Sequence, residues 1–399
     1  MALQDTEFYN NLDSRYLRYS FAEALIRYAP NGMCPLFGLT AQFSPAKALA
    51  VEHGYFAKTM VFPNVVINNG GGYNSAATTL TVVDTSTLVA GQLLRVQSTG
   101  EQIRVQTIAS ATSITVLRGI GAIAAASIPD ASKLYSVGSA FEQASNAPSS
   151  RLINTTRIMN YTQIFRNTWA LPGTVTATTP VVGGTLVAES KIDCGMFHGA
   201  DIETAMIFGQ RSAQQVNNQY LTTMDGVVET VRRYANTDNT NVAGATTNYD
   251  QLQTYLNPVF NTQANGRNGN RRLAFGGGKA RTVINDIGRK SGTYMIVDGA
   301  TNFGLQFQTF KTSRGEFKLI EHPMLNSNPD WSGMLLVVDP DNIRVPHLRM
   351  TSEMQFGMDG KYVQNGQDAV GGTLTTELTM EIINPSSAAI IHGLQAGVA

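Results

Sequence analysis

The chain is short of ions. Only 15% of its 399 residues are Asp, Glu, Lys or Arg, where an ordinary soluble domain carries about a quarter. The 29 basic and 29 acidic residues cancel to a formal net charge of zero. A protein built mainly to grip nucleic acid carries a strong basic excess, and this one does not. With 43% apolar residues and no net charge, the chain is not an intrinsically disordered one. Low charge also suits a subunit that covers its outside with copies of itself, because charges are depleted in interface cores.

Cysteine is scarce. Cys34 and Cys194 form neither a metal-ligand spacing nor a disulfide framework, and read as buried thiols in a reducing compartment. Long apolar runs are missing too. Gly119–Ile128 spans ten residues before Pro129 and Asp130 stop it, too few to cross a bilayer. Met1–Asn11 holds Asp5 and Glu7 and no apolar run, so no secretory signal and no membrane partner are expected. The five histidines pair with no other His or Cys at ligand spacing, and neither His-Glu-x-x-His nor Gly-x-Ser-x-Gly occurs. Gly276-Gly277-Gly278-Lys279 lacks the hydroxyl residue and the upstream glycine of a phosphate loop, so it reads as a turn leading into a helix. Asp339-Pro340-Asp341-Asn342 lacks the glycine and terminal Glu of a calcium loop, so it reads as a turn. No catalytic residue, cofactor or metal is predicted, and the chain is expected not to be an enzyme.

What the sequence does contain is organised by region. Ser14–Arg27 has helical spacing, and Val51–Val66 is extended and apolar, with few charges. At Asn68-Asn69-Gly70-Gly71-Gly72 the composition shifts to short β-branched runs: Leu80–Val83, Leu93–Val96, Gln102–Val105, Ser113–Leu117 and Leu134–Val137. Turn residues separate them, which predicts a small all-β barrel or sandwich inserted into a longer loop. Leu186–Ile207 predicts a long helix with Ile192, Met196, Ile202, Met206 and Ile207 as its apolar residues. Further on, Tyr249–Phe260 reads as a helix capped by Asn248, Arg272–Phe275 as a strand and Lys279–Arg289 as a helix. Leu305–Lys311 and Glu316–Glu321 form a hairpin, Met334–Val338 is a buried strand and Thr373–Ile383 a half-buried one. Trp169 and Trp331 read as packing anchors.

One stretch is more specific. Arg157, Asn160, Tyr161, Thr162, Gln163 and Phe165 spell R-x-x-N-Y-T-Q-I-F, followed by Trp169-Ala170-Leu171-Pro172-Gly173-Thr174. This resembles the major capsid (major head) proteins of tailed bacteriophages. Ala29-Pro30 with Pro35-Leu36-Phe37, Phe141-Glu142-Gln143-Ala144 and Asp201–Gly209 are similar to that family's segments in the same order. Met33-Cys34 and Gln143 depart from its usual residues.

The resemblance implies an α+β tailed-phage major capsid fold. Residues 1–50 would be an N-terminal arm, 51–66 and 139–156 an extended loop, and 67–138 the inserted β domain. A peripheral domain at 157–225 and 346–399 would hold a long spine helix, and 226–345 would be an axial domain. It implies a self-assembling subunit, in hexamers and pentamers, of an icosahedral head around double-stranded DNA, found in the virion and assembled in the host bacterial cytoplasm. The partners implied are further copies, a portal, decoration or scaffolding proteins, and DNA packaged without sequence specificity. A shell protein of an encapsulin-like nanocompartment or a tail component is the alternative. Tyr55, Phe56, Met60, Phe62, Phe141, Glu142, Glu189 and Asp193 are expected to touch neighbouring subunits. Arg267, Arg271 and Arg272, clustered in a polar glycine-rich stretch, are expected to face DNA phosphate.

Overall fold

The computed structural model describes residues 34–40, 46–59, 62–150, 153, 155–178, 180, 184–243, 247–261, 271–290, 297–298, 308–356 and 368–395. The expected helix at 14–27 lies outside these. The chain divides into two units, Phe56–Arg157 and the remainder.

The first unit contains a six-stranded barrel. Its strands run in the order Asn64–Val66, Lys133–Ser139, Gln92–Val96, Gln102–Ser110, Ser113–Leu117 and Thr79–Thr81. An antiparallel bridge between Ile67 and Val82 joins the last strand back to the first, so the ring has no open edge. Alternation explains the core: Leu94, Val96, Ile103, Val105, Ile114 and Val116 all point inward, and the residues between them face out or sit at the rim. The β unit therefore starts at Asn64, three residues before the expected 67, because Val65 already belongs to its core. Beyond a register shift at Val105/Thr107, Gln106–Ser110 stays paired with Ser113–Thr115 but its side chains are exposed.

The second unit is built around a seven-stranded mixed sheet ordered Thr240–Val242, Ala389–His392, Leu335–Val338, Arg271–Gly276, Glu316–Glu321, Gln308–Lys311 and Val297–Asp298. Apolar cores cover both faces. Phe275, Ile320, Leu336, Val338 and Ile390 pack on one side with Ile202, Met206 and Ile207. Ala274, Leu319, Leu335, Val337 and Ile391 pack on the other with helices Tyr249–Asn261 and Gly278–Lys290. A strand buried on both faces needs no polar alternation, which is why Leu335–Val338 reads as a plain apolar run. Asn248 caps its helix through the Gln251 N–H at 2.9 Å, as expected. Asp339 makes a turn, not an ion loop, by accepting the Asp341 N–H at 3.2 Å.

Beside this lies a four-stranded sheet of Ala46–Lys47, Pro346–Phe356, Ala369–Leu378 and Gln163–Pro172, against which the long helix Leu186–Phe208 packs. Thr185 starts the helix by accepting the Ala188 N–H at 3.3 Å. Its buried face is Cys194, His198, Ile202, Glu203, Met206 and Ile207.

On this helix Ile192 is exposed and Met196 half-buried, while His198 is buried and bonded to Asn167 and Thr376 at 2.7 Å each. Two expectations need correction. The expected strand at 373–383 begins at Ala369 and stops at Leu378. Thr379 donates its N–H to Pro346 at 2.9 Å, and Glu381–Ile382 then pairs with Ile343–Arg344. Finally, Ala389–His392 does not belong with the four-stranded sheet, as a peripheral segment 346–399 would require. It pairs with Leu335–Val337 and Thr240–Val242 because Ala389, Ile390 and Ile391 complete the two cores of the larger sheet.

Candidate interaction surfaces

The Asn-Tyr-Thr-Gln stretch is a structural lock. Asn160, buried between segments, uses its whole amide. Its Nδ2 donates to the carbonyls of Asp225 and Met380 at 3.0 and 2.9 Å, and its Oδ1 accepts the N–H groups of Asp225 and Tyr161 at 2.7 and 2.9 Å. Thr162 Oγ1 donates to Glu377 at 3.0 Å, while its carbonyl accepts from Thr222 Oγ1 at 2.6 Å. Gln163 Oε1 accepts the Met224 N–H at 3.1 Å, and Phe165 enters the core. A side chain with two donors and an acceptor can tie three chain segments that no continuous ladder joins. Tyr161 is half-buried, and Arg157 is exposed. None of this arrangement presents a nucleophile or a general base to solvent. Asp225, fixed by Asn160, also accepts the Arg211 N–H at 2.7 Å and stands 3.2 Å from Arg233 Nε.

A second junction surrounds Glu203. Its carboxylate accepts the Leu36 and Phe37 N–H groups at 2.8 and 2.7 Å and lies 2.7 Å from His322 Nε2. His322 Nδ1 accepts the Met324 N–H at 3.2 Å, so Nε2 carries the proton and donates to Glu203. Cys34, beside this site, is a free thiol pushed up to about 11 by burial and by the Glu203 charge. Cys194 is buried and also free.

The residues expected at subunit contacts divide. Phe56 is 71% exposed and Phe62 91% exposed. Met60 lies outside the described residues. Tyr55 is turned into its own fold: its hydroxyl donates to the Ile382 carbonyl at 2.7 Å and accepts the Asn384 N–H at 3.1 Å. Burial, the larger cause, pushes that phenol up to about 12. Tyr55 is half-buried, with its hydroxyl committed to its own fold. The strand carrying it needs glycine at 54, since a Cβ there would strike the Ile158–Met159 backbone. Phe141 is half-covered by its own barrel, lying over Gly91, and Glu142 is held by Arg104 at 2.6 and 2.9 Å. Glu189 is half-buried and Asp193 exposed on the long helix, next to exposed Ile192 and Phe197. The aromatic and apolar exposure of Phe197, Leu49, Met350 and Met354 carried no periodic signal in the sequence.

The expected DNA-facing group is corrected as well. Arg272 is 2% exposed, bonded to the Val259 carbonyl and paired with Asp339, each at 3.1 Å, beneath the Phe260 ring. Its neighbour in a strand points the other way: Arg271 is exposed and paired with Glu316 at 3.0 Å. Arg267 lies outside the described residues. Among the described residues no cluster of His, Cys, Asp or Glu could hold a metal ion, and no helix is long and apolar enough to cross a membrane. Both tryptophans pack: Trp169 lies under Lys191 and donates to Glu353 at 3.1 Å, and Trp331 stacks on Phe208.

Comparison with known proteins gives this surface a context. The family model described as SU10 major capsid protein matches residues 6–395. The major capsid protein of Pseudomonas phage PaMx41 is 34% identical over 389 residues, covering 94% of this chain and 92% of the relative. The capsid of a native GTA particle is 8% identical over 95% of this chain and 96% of its own, with a TM-score of 0.49. A structure from Mycobacterium phage Adephagia is 10% identical, covers 95% of each chain and has a TM-score of 0.48. Both scores fall below 0.5, so the assignment rests on the sequence matches. On those matches, the chain belongs to the SU10 major capsid protein family, the major capsid proteins of bacteriophages.

Proposed function

We propose that this major capsid protein assembles, as hexamers and pentamers, into the icosahedral head that encloses the double-stranded DNA of a tailed phage, inside the host cytoplasm. The observation that carries the reading is the exposure of Phe56 and Phe62. Two phenylalanines left in water forfeit roughly 1.5–3 kcal/mol each relative to burial, so they mark a surface that a partner covers. Lys58 lies between them, and the long helix offers Glu189 and Asp193 beside Ile192 and Phe197. Aromatic, apolar and opposite charges fit when the extended loop of one copy lies on the helix of the next. Many such contacts per subunit add through multivalency, so a shell is stable where a pair is not. Zero net charge limits repulsion on closure.

In this reading residues 1–50 are the arm and the loop flanks the barrel. The four-stranded sheet and long helix are peripheral, and the seven-stranded sheet, including 389–392, is axial. Portal, scaffolding or decoration proteins and the packaged DNA are the further partners.

Negative-stain micrographs of the purified chain test the proposal. Closed angular shells are expected. The pair Phe56→Ser and Phe62→Ser should keep the wild-type melting temperature and lose shells. A wild-type chain that stays a monodisperse monomer under assembly conditions overturns the reading.

A further inference from the structure

Segment Ser212–Thr223 (SAQQVNNQYLTT) contains no Asp, Glu, Lys or Arg and no proline. It forms an isolated two-stranded ribbon, Ser212–Val216 against Gln219–Thr223, turning at Asn217 and Asn218 with φ of 51° and 58°. Two positive φ values at a two-residue loop make this a type I′ hairpin, so Val216 and Gln219 form a hydrogen-bonded pair. The pattern then alternates: Ala213 and Gln215 aim their N–H and C=O groups away from the partner strand. The second strand is anchored at its base through Thr222 and Thr223. No strand pairs with the outer side of the first among the described residues. Val216, Tyr220 and Leu221 are all exposed. Natural edge strands are protected by charge, proline, bulges or cover, and this one has neither charge nor proline.

The same chain exposes a second open edge. Strand Pro346–Phe356 pairs inward with Ala369–Leu378. Its outer side meets Ala46–Ala48 at Pro346 and His347. Among the described residues no strand pairs with that side from Leu348 to Gln355, and Met350 and Met354 are exposed. Its two charged side chains are neutralised within the subunit: Arg349 pairs with Glu377 at 2.6 Å, and Glu353 with Lys191 at 3.1 Å. An edge with its charges internally matched is the electrostatic complement of a ribbon that has none.

Resting on the shell reading, we infer that the outer edge of Ser212–Val216 in one copy pairs with the open edge at 348–355 in the next, and so extends the four-stranded sheet across the subunit boundary. Main-chain hydrogen bonds supply the contact, and the two methionines, with soft adaptable side chains, cover Tyr220, which lies on the same face of the ribbon as Gln215. Nucleic acid is not the occupant, since the ribbon has no cation to meet phosphate. Used head to tail, two different surfaces make a heterologous contact, which builds a ring when its rotation closes, as a capsomer requires.

Cysteine trapping tests it. A chain carrying Gln215→Cys and Met350→Cys, mildly oxidised during assembly, is expected to give a ladder of disulfide-linked multimers. Each single variant, and the wild type with its two native thiols, should give monomer. Ala213→Pro removes an outward N–H that the hairpin itself does not use, and Gln215→Lys adds a charge to the ribbon; each should lower shell yield at least tenfold at an unchanged melting temperature. If Ala213→Pro fails to fold, Gln215→Lys and the trapping remain decisive. Full shell yield from Gln215→Lys together with no ladder overturns this contact while leaving the shell reading intact. Absence of shells from the wild type overturns both.

Discussion

Two glutamates shut off from water, one in each unit, are held in different ways. In the barrel, Glu101 meets Arg118 in a bidentate pair at 2.7 Å for both bonds, and it also accepts the Gly119 and Ala126 N–H groups at 3.0 and 3.2 Å. All its partners come from one stretch of chain just beyond it, and Arg118 extends the clasp to the Asn74 and Ala77 carbonyls. On the long helix, Glu203 has no cation among its bonded partners. Two backbone N–H groups and a neutral histidine satisfy it, from residues 36, 37 and 322. The barrel thus closes a local circuit within a module that has its own core. At Glu203 the larger unit joins distant segments through dipoles alone. A charge pair gives the stronger bond but leaves the costlier orphan when broken; a dipole clamp is weaker and fails more gently.

Breaking the local circuit should have the largest effect. Arg118→Met leaves Glu101 buried without its cation and is expected to destabilise the barrel by about 3–5 kcal/mol, read by hydrogen exchange of the Gln102–Ser110 strand. A loss below about 1 kcal/mol would erase the contrast. The same circuit sets an acid limit. Burial pushes Glu101 up, but Arg118 and the two N–H groups outweigh it and hold the carboxyl below its ordinary 4.5. A depressed carboxylate adds stability above its unfolded value and loses it as pH falls through the folded one. Barrel exchange protection should therefore hold at pH 5 and above and decline below about pH 4.5.

Glu203→Gln is the intermediate case. An amide cannot accept from all three donors, so a cost of about 1–3 kcal/mol is expected. Faster proteolysis at 34–40 should accompany it, with the barrel's exchange unchanged. Barrel exchange that rises equally would mean the two units are not independent. The smallest effect belongs to Tyr55→Phe. It removes a hydroxyl that donates to Ile382 and accepts from Asn384, at about 1 kcal/mol. No drop in denaturant midpoint would show that the hydroxyl adds nothing to the fold.

Legibility followed the range of the interactions. The barrel strands were readable because alternation is local: Ile114 and Val116 face inward simply because they are two apart. Helices Tyr249–Asn261 and Gly278–Lys290 were readable from period and cap. Which side of the long helix is buried was not readable, because the sheet presents Asn167 and Thr376 and takes His198 against them. Arg272 misled for a similar reason. A basic run beside glycines says nothing about which arginine a strand turns toward Asp339. Among the expected contact residues, Phe56 and Phe62 stay exposed, while Tyr55 and Glu142 find partners in their own unit.

By itself the sequence determined most element types, the run of short strands in the β module and the family motif. Each depends on neighbours within a few residues, where covalent geometry and periodicity act directly. Only the tertiary structure decided what Asn160 and Glu203 hold, where Ala389–His392 pairs and which aromatics stay in water. Those outcomes depend on segments up to 220 residues apart, and nothing local encodes which distant carbonyl or carboxylate will arrive opposite a given donor.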